Sequence, residues 1–224
     1  MSESKPVLAY WNFRGVVAPT RMLLAYLGVD HDEIRYPANL AGVKEWHKIR
    51  DKMGLDFPNL PYWKENSEDS EDKGLTESRA IIKHIARTRG NGVLMPTSLD
   101  DLVTAECVEG VVYDTGYGLV KRCLYDADPF KEDLKAAPVK FDQLEKFLGT
   151  KRWILGDQLF YVDFLLYEVL YQFEAYDPDY FKAYPSLSKF KGRLEALPEI
   201  RKYMESPSYV SGPCVHPFFA RLKI

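Results

Sequence analysis

The sequence predicts an α+β chain in two parts. A mixed-sheet domain spans residues 1–90, a connection spans 91–98, and an all-helical domain spans 99–224. Three observations predict this. The first ninety residues hold four short runs of strand character, with helical patterns between and after them, in the order βαβ and then ββα. Gly90-Asn91-Gly92 then breaks the pattern with turn residues. From Leu99 onward apolar residues recur at helical spacing, and no segment reads as a strand.

Each element has its own signal. Val7-Leu8-Ala9-Tyr10-Trp11 is a short apolar run, a buried strand that Gly15 breaks off. Val16 to Leu27 is a helix, with Met22, Leu23, Tyr26 and Leu27 as its apolar stripe, Pro19 in the first turn and Gly28 at the stop. Asp32 to Tyr36 alternates around Ile34 and forms the second strand. Residues 37–53 are polar around Trp46, a loop with a short helix. Leu60 to Lys64 is the third strand and Gly74-Leu75-Thr76 the fourth. The acid- and serine-rich run Glu65 to Lys73 between them is an exposed hairpin connection. Ser78 to Arg89 is a helix with Ile81, Ile82 and Ile85 on one face. This is a thioredoxin-like layout, a four-stranded mixed sheet whose parallel pair is joined by a helix.

The second half is helical throughout. Leu99 to Tyr125 carries Leu102, Ala105, Val108 and Val112 at helical spacing, and Phe130 to Leu148 forms a second helix with Pro138 as its kink site. Val162 to Phe173 is apolar almost all round, the mark of a helix at the centre of a bundle. Leu187 to Leu197 and Glu199 to Met204 are shorter amphipathic helices parted by Pro198. Ser208 to Ile224 is a proline-containing tail expected to wrap the surface.

Composition narrows the function classes. At 224 residues and 46% apolar, the chain can bury a sizeable core. A net charge of −3 gives no general attraction to nucleic acid or to anionic membranes. No apolar run reaches the ~20 residues of a membrane span, and Met1-Ser2-Glu3-Ser4-Lys5 has no apolar core of a signal peptide. Cys107, Cys123 and Cys214 make no disulfide framework, and a reducing cytoplasm fits them. His31, His47, His84 and His216 are scattered without ligand spacing, so no metal is expected.

The chemistry concentrates in Gly54-Leu55-Asp56-Phe57-Pro58-Asn59-Leu60-Pro61-Tyr62. A cis Leu60-Pro61 bond turns the chain sharply and leaves the Leu60 N–H and C=O outward, unpaired within their own strand. Such a pair can grip a peptide backbone as an added strand does. The plain alternative is an ordinary loop before a strand.

A thioredoxin-like unit invites a Cys-x-x-Cys after the first strand, and there is none. In its place stands Tyr10-Trp11-Asn12-Phe13-Arg14-Gly15. Further on come Leu55 to Tyr62, Glu77-Ser78-Arg79-Ala80-Ile81 and Tyr161-Val162-Asp163-Phe164. In this order and at these spacings the motifs resemble those of a cytosolic glutathione transferase, most like the mu class, over nearly the whole chain.

The resemblance implies a homodimer that conjugates glutathione, a co-substrate rather than a bound cofactor, to small apolar electrophiles in detoxification. It implies that Tyr10 donates a hydrogen bond to the glutathione thiolate, the nucleophilic form. Leu60 pairs with the cysteinyl backbone beside cis-Pro61, and Asn59 lies along the same tripeptide. Glu77 meets the γ-glutamyl ammonium, and Ser78, a residue suited to capping its helix, meets the γ-glutamyl carboxylate with the helix N-terminus. Trp46 and Arg50 serve the glycyl end, and Asp114 reaches across the dimer. Trp11 belongs to the glutathione side of an electrophile pocket lined by Trp11, Val16 and Tyr125, with Leu124 competing for the last place. Phe57 is the key in a neighbouring chain's apolar pocket. Should Tyr10 not be the activating group, Arg14, the nearest cation in the sequence, is the next candidate to test.

The sequence departs from the mu pattern at several positions. Glu77 stands where mu members usually have Gln, and Arg50 where they have Lys. Val43 replaces a basic residue, with Lys44 beside it as a substitute. Phe160 replaces the hydroxyl residue that caps the helix of Asp163, a loss of about 1 kcal/mol. Two alternatives share the scaffold: a non-catalytic ligand-binding or structural protein, and a glutathione-dependent isomerase.

Overall fold

A computed structural model describes residues 5–66, 74–125 and 130–212, with backbone alone for 117–125, 130–138 and 176. Strands β1 (Val7–Trp11), β2 (Asp32–Tyr36), β3 (Tyr62–Lys64) and β4 (Leu75–Thr76) form one four-stranded sheet in the order β2-β1-β3-β4. β1 runs parallel to β2 and antiparallel to β3, and β3 runs antiparallel to β4. Of the acidic run Glu65 to Lys73, Glu65 is held by the Trp63, His84 and Arg89 side chains rather than left solvated, while residues 67–73 and the tail beyond residue 212 lie outside the described residues.

β1 is buried on both faces because it is an inner strand covered by helices. β2, an edge strand, alternates as expected but with its faces exchanged. Ile34 is 41% exposed, and Glu33 turns inward to take hydrogen bonds from Arg21 and Arg35. An ion-pair network therefore occupies the inward position at Glu33, while Tyr36 at the end of the strand is buried among aromatic rings.

Helices follow the sequence signals closely. A 3-10 turn over Gly15–Val17 leads into α1 (Ala18–Leu27), which Pro19 opens and Gly28 ends in the left-handed conformation. α2 (Leu40–Ile49) is capped by the Asn39 side chain, which accepts the Gly42 N–H at 3.0 Å. α3 (Ser78–Thr88) buries Ile81, Ile82, Ile85 and Ala86. The connection through Leu94 and Met95 is buried, and the Leu94 carbonyl accepts the Tyr161 N–H.

α4 (Leu99–Tyr125), α5 (Phe130–Leu148), α6 (Tyr161–Tyr176), α7 (Pro185–Glu195) and α8 (Pro198–Met204) complete the chain. α6 lies at the centre, packed on α4, α1, α3 and α7. Its Phe160 cap position makes no side-chain bond, as the missing hydroxyl implies. Asp163 compensates: its two carboxylate oxygens accept the N–H groups of Phe160 and Ile154, each at 2.8 Å. Burial pushes the Asp163 carboxyl up to about 7 despite those two bonds.

One buried acid ties three helices together. Glu109 on α4 accepts hydrogen bonds from Arg79 and Lys83 on α3 and from the Tyr161 hydroxyl on α6. Burial raises its carboxyl, but the bonds from Arg79 and Tyr161 and the charge of Lys83 outweigh that and hold it below the usual carboxylate range. Among the described residues no group of His, Cys, Asp and Glu could hold a metal ion, and no helix is long and apolar enough to cross a membrane.

Candidate active site

Sheet register assembles the site. Ala9 on β1 pairs with Tyr62 on β3, and Tyr62 pairs with Thr76 on β4, so these three residues form one row across the sheet. Strand direction then decides what lies past that row. On β1 the next residue is Tyr10, on the antiparallel β3 it is Pro61 followed by Leu60, and on β4 it is Glu77 followed by Ser78. All three strands deliver their candidate residues to the same end of the sheet.

Tyr10 is nearly buried, its ring 5.5 Å from that of Phe13. Its hydroxyl rests against Gly15: a Cβ on Gly15 would stand 2.6 Å from the Tyr10 oxygen and 2.5 Å from its ring. Gly15 also has φ +48°, where a side chain is strained. Arg21 holds the intervening loop from below, donating to the carbonyls of Phe13 at 2.7 Å and Trp11 at 3.4 Å. Nothing in the sequence marks Arg21, which reads there as one more polar residue of α1. Its burial deep in the fold is what reveals the role.

Leu60-Pro61 is cis. The Leu60 N–H is not left unpaired: the Asn59 side-chain oxygen takes it at 2.9 Å. The Asn59 amide nitrogen in turn donates to Glu77 at 3.4 Å. A peptide strand that pairs with Leu60 through its N–H must displace a side chain one residue away.

Glu77 precedes α3 with φ +69° and ψ +111°, an unfavourable region for a residue with a Cβ. Ser78 is the first residue of α3, not its cap, and the cap position belongs to Glu77, whose side chain makes no capping bond. The Glu77 carbonyl accepts the N–H groups of Ala80 and Ile81. The amides of Ser78 and Arg79 precede the first intrahelical donor, the position where a helix N-terminus attracts an anion.

The region of Trp46 and Arg50 rests on aromatic packing. Trp46 is buried, stacked on Tyr62 with ring centroids 6.1 Å apart and tilted on Tyr36 at 5.8 Å. Trp11 meets Tyr36 edge-on at 6.1 Å. Arg50 follows α2, where its Nε donates to Asp51 at 3.0 Å. Val43 is half-buried on α2, and the next residue, Lys44, is exposed. Consecutive helical residues lie about 100° apart, so Lys44 cannot occupy the direction of Val43.

Val16 is 44% exposed beside Gly15. Asp114 is exposed on α4, while the side chains of Leu124 and Tyr125 lie outside the described residues. Phe57 is 74% exposed, a large apolar side chain projecting between Asp56 and Pro58.

Arg14 is where the sequence expectation fails. It is no free cation beside Tyr10, because it is 1% exposed and turned toward α6. Its Nε and one terminal nitrogen bond Glu168 at 3.1 and 2.5 Å. The other terminal nitrogen bonds the Tyr209 hydroxyl at 2.9 Å and the Val210 carbonyl at 3.0 Å. The sequence did hold one clue: Glu168 and Gln172 stand with Asp163 as the polar residues of the apolar run 162–173, and a buried acid demands a partner.

Comparison with known proteins agrees with this architecture. The family model for the glutathione S-transferase N-terminal domain matches residues 6–87, and the one for the C-terminal domain matches residues 113–207. The chain is 38% identical to glutathione S-transferase Mu 1 of Mus musculus over 213 residues, 92% of this chain and 94% of the relative. It is 37% identical to a glutathione S-transferase of Tyrophagus putrescentiae over 218 residues, 94% of this chain and 95% of the relative. Its fold matches the crystal structure of the glutathione S-transferase Blo t 8 with a TM-score of 0.81 and 31% identity, over 95% of this chain and 97% of that one.

Proposed function

The chain belongs to the glutathione S-transferase family, and on that premise we propose that Tyr10 activates the glutathione thiol for attack on small apolar electrophiles. The reaction is glutathione conjugation. One observation carries the assignment of roles: Tyr10, Leu60-Pro61 and Glu77-Ser78 leave three neighbouring strands at one end of the sheet. A γ-glutamyl peptide laid across that end meets a phenol, a backbone edge, and a carboxylate beside a helix N-terminus, in that order.

The magnitudes suit this role. Lowering a thiol pKa by about 2 units requires ~2.7 kcal/mol. A hydrogen bond from a phenol to a charged sulfur supplies roughly 1.5–3 kcal/mol. Tyr10 O–H donates to the sulfur anion, which forms the S–C bond while the leaving group departs with its electron pair. Glu77 faces the γ-glutamyl ammonium, the Ser78 end of α3 faces its carboxylate, and Trp46 and Arg50 serve the glycyl end. Residues 1–90 thus hold glutathione, and 99–224, joined through 91–98, face the electrophile, with Val16 and Tyr125 in the pocket.

The finer assignments belong to the same reading. The protein acts in detoxification as a cytoplasmic homodimer. Phe57 is its interchain anchor, a role supported by its exposure, and Asp114 reaches the neighbouring site.

The test is Tyr10→Phe. The variant keeps its glutathione affinity in calorimetry, because sulfur is the one part of the tripeptide that the phenol meets. Its kcat/KM with a chloronitroarene falls roughly 10- to 30-fold near neutral pH, as the bound thiol returns toward a pKa of about 8.5. The deficit shrinks between about pH 8 and 9, where both proteins hold thiolate. Wild-type rates for the variant at about pH 6.5 overturn the assignment.

A further inference from the structure

The segment 208–212 is bound at three places: to β2, to α6 and, through Arg14, to the loop that follows Tyr10. Arg35 donates to the Ser208 carbonyl at 2.7 Å. Arg14 donates to the Tyr209 hydroxyl oxygen and the Val210 carbonyl, and the Gly212 N–H donates to the Tyr171 hydroxyl at 3.4 Å. Arg14 is the common point. One edge of its guanidinium holds Glu168, another holds the segment, and its face lies 3.8 Å from the centre of the Tyr171 ring. Such a planar fork, buried and held on two edges and one face, leaves its own backbone little freedom.

That backbone is the support of Tyr10. Gly15, the next residue, is the atom group against which the Tyr10 hydroxyl rests. Arg21 fixes the front of the same loop through the Trp11 and Phe13 carbonyls. Arg14 fixes the back, through α6 and the segment 208–212.

We propose that Arg14 is a positioning residue for thiolate formation, coupling Tyr209 and Val210 to the Tyr10 hydroxyl through Gly15. The proposal rests on the assignment of Tyr10 as the thiol-activating group. A hydrogen bond to sulfur weakens steeply as its angle opens, so a small shift of Gly15 changes the acidity of the bound thiol without touching the peptide. The charged and titratable groups around Arg14 are Glu168, Tyr167 and Tyr171 from α6, Tyr203 from α8, and Tyr209 from the segment.

The experiment measures the pKa of the bound thiol from thiolate absorbance of the glutathione complex in five proteins: wild type, Arg14→Lys, Tyr209→Phe, the double variant of these two, and Tyr10→Phe. Lysine keeps the charge and loses the fork. Arg14→Lys raises the thiol pKa, giving a roughly three- to tenfold loss of kcat/KM at about pH 6.5 that vanishes near pH 9. Its glutathione affinity stays within about twofold, since Arg14 touches no part of the peptide. Tyr209→Phe leaves the Glu168 pair intact and shifts the pKa in the same direction by a smaller amount. Added to Arg14→Lys it contributes less than it does alone, because both act through one group.

An unchanged thiol pKa in Tyr209→Phe and in Arg14→Lys overturns the proposal. If Arg14→Lys does not fold, Tyr209→Phe decides alone. A loss of stability with an unchanged pH profile also overturns it, by reducing Arg14 to a structural tie. Tyr10→Phe separates the two readings. No shift in that variant removes the Tyr10 assignment itself, whereas a shift there with none in the others removes only the coupling.

Discussion

Two carboxylates, Glu77 and Asp163, each sit where a helix begins, and the chain treats them in opposite ways. Asp163 is fully buried and both of its oxygens are committed, each to a backbone N–H at 2.8 Å. Glu77 is exposed, stands on a left-handed backbone at φ +69°, and takes a 3.4 Å contact from Asn59. One acid is spent on holding α6 to the turn before it. The other is held in a strained pose with its charge available. Stability is placed where polar groups are fully paired, and on the proposed reading the under-committed acid, Glu77, is the one that serves recognition.

The largest way to break this contrast is Asp163→Ala. It strands two buried N–H groups and removes two bonds to a charge, and the expected loss is about 3 kcal/mol, read from the urea midpoint. A loss below about 1 kcal/mol would mean that the turn at Ile154 carries itself.

Titration sharpens the same point. The raised pKa of Asp163 means that the folded state binds its proton more tightly than the unfolded state does. Its contribution is therefore greatest at low pH and declines as pH rises from about 4 to about 7. Asp163→Asn lacks the ionisation, so the wild-type advantage over that variant narrows across this window. A gap that widens toward pH 8 contradicts the sign.

Glu77→Gly tests the other side. Glycine relieves the left-handed backbone, worth about 1–3 kcal/mol, against the roughly 0.5–1 kcal/mol of its extra unfolded-state freedom. The variant is expected to be about 1 kcal/mol more stable, while glutathione binds roughly tenfold more weakly without the carboxylate. Calorimetry beside a denaturation curve reads both, and a variant that loses stability and keeps affinity reverses the argument.

The smallest effect on folding belongs to Phe57→Ser. A side chain 74% exposed has little intrachain packing to lose, so stability changes by less than about 0.5 kcal/mol. Its effect is on assembly: sedimentation at micromolar concentration finds the variant shifted toward monomer. A wild type that is already monomeric there refutes the anchor role.

Much of this was legible in the sequence because periodicity and punctuation are local. β1, β2, α4 and α5 run as read, and Gly28 stops α1 as its position implies. What was not legible depends on distance or on dihedral angles. Nothing near Arg14 announces a partner 154 residues away, so the cation next to Tyr10 read as a reserve activator. Ser78 looks like a cap until the φ of Glu77 is known. The inward turn of Glu33 could not be told from the outward one, because alternation gives two faces without saying which is inside. Tyr10, Leu60 and Glu77 were named through a resemblance, and only the register explains in physical terms why they meet.

That row of Ala9, Tyr62 and Thr76 makes the ladder a ruler with coarse graduations. Neighbouring strands can err only in whole residues, about 3.3 Å at a time, and an odd step also turns every side chain to the opposite face. No nearly correct arrangement exists in which Tyr10 is slightly misplaced against Leu60 by slippage. Errors in the strands remove the site outright, and the fine adjustment is left to the loops that follow them. Catalytic competence regained during refolding would therefore rise in proportion to the population of correctly registered sheet, which makes turnover itself a gauge of strand pairing.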